Sequence, residues 1–71
     1  MAGTDQDKLR VLVPHWIEHN AEHAAEFRDW AQKARAAGGT RAAEEIEAAA
    51  QKLDEANAAL NAALHELGTP A

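Results

Sequence analysis

Between Pro14 and Gly68 the chain meets helix breakers in one place only, the adjacent glycines Gly38 and Gly39. Glycine and proline are the strongest local punctuators of helical structure. The stretches on either side are rich in alanine, the best helix former. Two long helices joined by so short a turn have to lie antiparallel, side by side. The fold class read from this is all-α, an antiparallel two-helix hairpin, and no segment alternates with the period of a strand.

Pro14 lacks an amide hydrogen and disfavours α geometry at Val13, so it belongs near the start of a helix. This places the first helix at about 14–37, the turn at about 38–39 and the second helix at about 41–67. Ahead of Pro14, Thr4 can cap a short extra N-terminal helix through Leu12, with Asp5 and Asp7 suiting its dipole, or that segment joins the main helix through a kink. Gly38 suits the position just past the first helix. Thr40 suits the N-cap of the second, ahead of Glu44, Glu45 and Glu47. The tail beyond Gly68 is expected to be mobile.

With 71 residues the chain makes a single domain, 1–71. A domain of this size buries a small share of its surface and needs a staple. There is no cysteine, so the staple has to be oligomerisation, a metal held by nitrogen and oxygen, or very close helix packing. A net charge of -5 argues against nucleic acid and against an anionic membrane surface. It favours a cation or a basic protein partner. No stretch has the length needed to cross a bilayer, and Met1 to Asp7 carries no basic region followed by an apolar run. The compartment expected from this is the cytoplasm.

With residues placed at about 100° intervals, Leu12, Trp16, Phe27, Trp30 and Ala34 gather around His23. His23 is thus expected in mid-stripe, with Asn20 and His19 to either side. On the second helix Ile46, Ala49, Ala50, Leu53, Leu60, Leu64 and Leu67 align, with Asn57 among them. A turn about Gly38-Gly39 brings level those residues whose numbers add to about 77, which sets Asn57 opposite Asn20 and Asp54 near His23. An alanine-rich partner helix is too thin to cover Trp16, Phe27 and Trp30. A second copy, giving a homodimeric four-helix bundle, is the simplest closed solution.

The chemistry lies in Pro14-His15-Trp16-Ile17-Glu18-His19-Asn20-Ala21-Glu22-His23 and the following Glu26. Histidines four residues apart stack on successive helical turns, so His15 with His19, or His19 with His23, can close on one ion. Glu22 and Glu26 follow His19 and His23 by three residues and can ligate through oxygen or orient an imidazole. Imidazole with carboxylate suits Zn, Ni, Co, Cu or Fe rather than Ca or Mg. The expected metal residues are His19, His23 and Glu26, with His15 and Glu22 auxiliary. A symmetric dimer would double this set. The competing reading makes Asn20, His23 and Asn57 a polar core layer that fixes register and oligomer state. His65 falls off the apolar face and reads as a surface residue.

No catalytic residue is expected. Serine and cysteine are absent, no glycine-rich phosphate loop follows a strand, and neither the Glu-x-x-His pair of di-iron bundles nor the His-Glu-x-x-His of metalloproteases is present.

The run from Leu12 to Ala34, with Pro14-His15-Trp16-Ile17-Glu18-His19-Asn20-x-Glu22-His23 and then Glu26-Phe27-x-x-Trp30-Ala31, resembles a family of short, uncharacterised prokaryotic helical proteins. That resemblance covers most of the chain and implies no activity. More loosely the chain is similar to hemerythrin-like bundles, which implies a di-iron centre held by His and carboxylate. The second helix here carries only His65, so a partner chain would have to supply half of such a ligand set. The functional expectation is a small cytoplasmic metal-binding bundle for storage, delivery or sensing. Its rival is a metal-free homo-oligomeric interaction module.

Overall fold

The computed structural model describes residues 3–68. It consists of two helices, α1 (Asp5–Ala36) and α2 (Thr40–Leu67), packed against each other along their length, with no strand among the described residues. The hairpin is a rod of 56 × 17 × 13 Å. The expectation for the tail past Gly68 lies outside the described residues.

α1 begins nine residues earlier than Pro14, and Pro14 lies inside it. The N-terminal segment is not a separate helix and is joined to the main one. Two things hold it in the helix against the roughly 3 kcal/mol that an internal proline costs. Thr4 caps it, its hydroxyl accepting from the Asp7 amide at 3.1 Å, with Asp5 and Asp7 in the first turn. Val13 is buried, and Arg10 donates from Nε and Nη2 to the Leu67 carbonyl at 3.1 and 2.9 Å. That cation satisfies an open carbonyl at the C-terminal end of α2, where positive charge is favoured.

The turn forms for the reason expected of its first glycine. Gly38 takes φ +90°, a conformation that costs a side chain roughly 1–2 kcal/mol. The Gly38 amide donates to Arg35 O at 3.0 Å and the Gly39 amide to Ala34 O at 2.7 Å, closing the end of α1 in a Schellman motif. Gly39, not Thr40, occupies the cap of α2, and no side chain caps that helix. A chain that doubles back within two residues enters α2 at once, so Thr40 is already helical.

Apart from Asp7, Leu9 and Glu47, which flank the seam, the buried and half-buried helical positions fall at alternating spacings of three and four. On α1 they are Arg10, Val13, Ile17, Asn20, Ala24, Phe27, Ala31 and Ala34; on α2 they are Ala43, Ile46, Ala50, Leu53, Asn57, Leu60, Leu64 and Leu67. This is the pattern of a coiled-coil seam. Residues whose numbers add to 77 lie level, as the bonds from Arg10 to Leu67 and from Asn20 to Asn57 show. The fully buried set is Val13, Ala24, Ala31, Ala43 and Ala50. Each alanine methyl contributes only on the order of 0.8 kcal/mol on burial, so the seam is thin.

Midway along it, Asn20 Nδ2 donates to Asn57 Oδ1 at 3.0 Å and Asn57 Nδ2 donates to the Ile17 carbonyl at 3.0 Å. No buried side-chain polar atom among the described residues lacks a partner. A single replacement, Asn57→Leu, is expected to orphan the Asn20 amide and cost about 1–2 kcal/mol, whereas Asn20→Leu with Asn57→Leu should recover most or all of that loss. Urea midpoints of the two variants check the order.

Candidate functional site

The two flat sides of the hairpin differ in chemistry. One side is latched by ion pairs across the helices. Arg35 grips Glu47 through both terminal nitrogens at 2.9 and 2.8 Å, and Arg28 meets Asp54 at 2.6 Å. Asp54 is therefore engaged by Arg28 and not by His23. A concavity at the open end, lined by Asp7, Arg10, Asn61, Leu64 and His65 among others, carries His65 as an exposed residue. Its guanidinium is already committed to Leu67 O and to Asp7 Oδ1.

The other side is apolar and open. About a quarter turn of α1 away from the seam, Leu12, Trp16, His19, His23, Glu26 and Trp30 form a second row, apolar at both ends and polar in the middle. Leu12 and Trp16 are each 41% exposed and Trp30 is 57% exposed. Lys33 Nζ lies 4.2 Å from the Trp30 ring centroid and covers part of it. On the same side of α2, Ala42, Ala49, Ala56 and Ala63 recur at every seventh residue, all exposed.

The expected mid-core place of His23 is corrected by this geometry. The seam runs through Ala24, and His23 stands exposed on the open side. The polar layer consists of Asn20, Asn57 and the Ile17 carbonyl, without His23. Phe27 alone of the aromatic residues is half-buried, at the border between the two rows.

The histidines form a ladder along α1. The His15 and His19 ring centroids are 4.4 Å apart in an edge-on arrangement, those of His19 and His23 are 6.2 Å apart, and His23 lies 6.4 Å from Phe27. His15, His19, Glu22, His23 and Glu26 are all exposed. Among the described residues neither Glu22 nor Glu26 forms an ion pair. No group of three or more His, Asp or Glu side chains among them is gathered closely enough to hold an ion within one chain. The backbone thus stacks imidazoles in pairs and spreads the carboxylates around the helix. His19 and His23 border the apolar row, while His15 and Glu22 point further round toward solvent, as their positions on the helix require.

Taken together, the fold and this face define an all-α hairpin with a latched side and an open, histidine-bearing side. Residues 9–67 match the family described as Domain of unknown function (DUF8180), and the chain belongs to that family. The match covers the whole seam, which runs from Arg10 to Leu67. No curated protein and no solved structure matches the chain. No helix among the described residues is long and apolar enough to cross a membrane.

The bidentate hydrogen bond from Arg35 holds the Glu47 carboxyl below its ordinary range, and the same bond raises Arg35. A carboxyl whose pKa is lower in the folded chain than in the unfolded one stabilises the fold fully above the unfolded value. That contribution disappears as pH falls through the lowered folded value. Thermal melts taken from about pH 6 down to about pH 2 should show the chain losing more stability than Glu47→Gln, with the two converging at the acid end.

Proposed function

We propose that the hairpin is half of a homodimeric four-helix bundle that binds a transition-metal ion through His19, His23 and Glu26, with His15 and Glu22 in support. The observation that carries this reading is the exposed ladder of imidazoles set beside an exposed row of tryptophans. Imidazole and carboxylate suit Zn, Ni, Co, Cu or Fe, and the negative charge of the chain favours cation uptake. One chain stacks its histidines only in pairs. A second chain laid on the open side doubles the set and at the same time covers Trp16 and Trp30. Storage, delivery or sensing of a metal in the cytoplasm fits a small protein of this kind, whose ligands are free of thiols and whose site offers no nucleophile. The di-iron arrangement of hemerythrin-like bundles gains no support, since α2 carries only His65, which stands on the latched side.

A second reading keeps the exposed tryptophans of the open side and dispenses with the metal. It makes the protein a metal-free homo-oligomeric interaction module whose polar residues set pairing specificity and whose acidic exterior meets a basic partner. The asparagine pair closes within one chain, so it fixes the register of the hairpin, and the open side is left to choose the partner.

Native mass spectrometry of the untagged protein, titrated with Zn, Ni, Co and Cu ions, separates the two readings. A dimer taking up a defined number of ions, with the uptake lost in His23→Asn while far-ultraviolet circular dichroism stays unchanged, is the outcome expected. An assembly that remains free of metal at micromolar ion concentrations would leave the interaction module.

A further inference from the structure

We infer that the two chains pair α1 against α1 in antiparallel fashion, with the two-fold axis passing between His19 and His23, so that these two residues from each chain form one four-imidazole site. The inference rests on the metal-binding reading and gives that site its partner and its ligand set.

The occupant of the open side is identified as a second copy by area and by symmetry. The chain exposes 5221 Å², whereas a folded protein of its 7.6 kDa mass exposes about 4,300 Å². The surplus of about 900 Å² is close to the roughly 800 Å² that each partner contributes to a standard interface. The row on α1 is Leu12, Trp16, His19, His23, Glu26 and Trp30, and its successive gaps read four, three, four, three, four in either direction. Such a row meets an antiparallel copy of itself without slipping out of step. The level pairs become Leu12 with Trp30 of the partner subunit, Trp16 with Glu26 of the partner subunit, and His19 with His23 of the partner subunit. Apolar pairs close both ends, Trp16 brings an indole N–H toward a carboxylate, and the imidazoles meet in the middle.

α2 obeys the same axis. Position 21 of α1 is level with Ala56 in the hairpin register, and a two-fold there sets Ala56 against its own copy and Ala49 against Ala63 of the partner subunit. Alanine at each of these places lets the second pair of helices approach as closely as the first pair does across the seam. Had Ala56 been a large residue, the axis would have been blocked.

Four imidazoles supply the full tetrahedral set that Zn or Co takes with nitrogen ligands. Glu22 and Glu26 then act as the carboxylates that orient His19 and His23 through their second ring nitrogens. In the shared site the imidazoles of the partner subunit thus take the coordination place that a single chain would leave to Glu26.

Cobalt titration of the full chain, followed by visible absorption and by sedimentation velocity, tests this. One ion per two chains with the intense absorption of tetrahedral cobalt is expected. His19→Asn and His23→Asn should each abolish that absorption, and Glu18→Gln, at an exposed carboxylate outside the row, should retain it. Trp30→Ala keeps every histidine and should lower both dimer formation and cobalt affinity at least tenfold, with helicity by circular dichroism confirming that it still folds. One ion per chain, weak octahedral absorption, or affinity unchanged in Trp30→Ala would overturn the shared site while leaving a metal-binding protein. Absence of any cobalt uptake would overturn the metal reading as well.

Discussion

The close approach of two alanine-lined helices governs the rest of the molecule. Four of the five fully buried residues are alanines, and a seam of this kind brings backbones together at the expense of buried apolar area. Its larger members, among them Ile17, Phe27, Ile46, Leu53 and Leu60, are only half-buried in it. Trp16 and Trp30 lie about a quarter turn away from it, where they stay substantially exposed. A seam with so few fully buried side chains contributes little apolar burial against the ordering entropy of the chain. The latched side is tied by Arg28–Asp54 and Arg35–Glu47, and both exposed tryptophans lie on the other side.

Much of this was legible in the residues. Gly38 and Gly39 dictated the turn, the turn dictated that residues adding to 77 lie level, and the Asn20–Asn57 hydrogen bond stands where that rule puts it. Thr4 reads as a cap and is one. The angular reading of α1 failed in an informative way. It centred the stripe on His23, and so took the row of Trp16, His23 and Trp30 for the core. Two rows lie about a quarter turn apart on this helix, and the fully buried members of the seam row, Val13, Ala24 and Ala31, are small. Alanine at the points of closest approach carries too weak a hydrophobic signal to announce which row is the seam. Alternation by three and four from Val13 through Ala31 was the available clue.

Pro14 shows where local rules yield to packing. Read alone it starts a helix, yet α1 runs through it, because Thr4 caps the helix upstream and Arg10 ties the same segment to the last carbonyl of α2. Thr40 illustrates the reverse. Its side chain suits a cap, but the geometry of a two-residue reversal hands the cap to Gly39. The candidate ligands were visible by residue type and spacing, since stacking every fourth residue follows from helical geometry alone. Which of them face a common surface was not visible, because that depends on which row is the seam.

In the proposed assembly the histidines make pairing and metal binding interdependent. A neutral imidazole carries one donor and one acceptor nitrogen. Bringing four of them together between two chains, away from water, leaves lone pairs facing one another, and each buried polar group without a partner costs about 1–3 kcal/mol. Covering the tryptophans thus favours the dimer while the histidine cluster opposes it. An ion that accepts those lone pairs removes the opposition and leaves the apolar gain intact. A chain built with leucine at positions 19 and 23 would pair regardless of metal. With histidine there, the dimer forms in proportion to the ion available. That coupling of oligomeric state to metal concentration is what distinguishes a sensor or a delivery protein from a passive bundle.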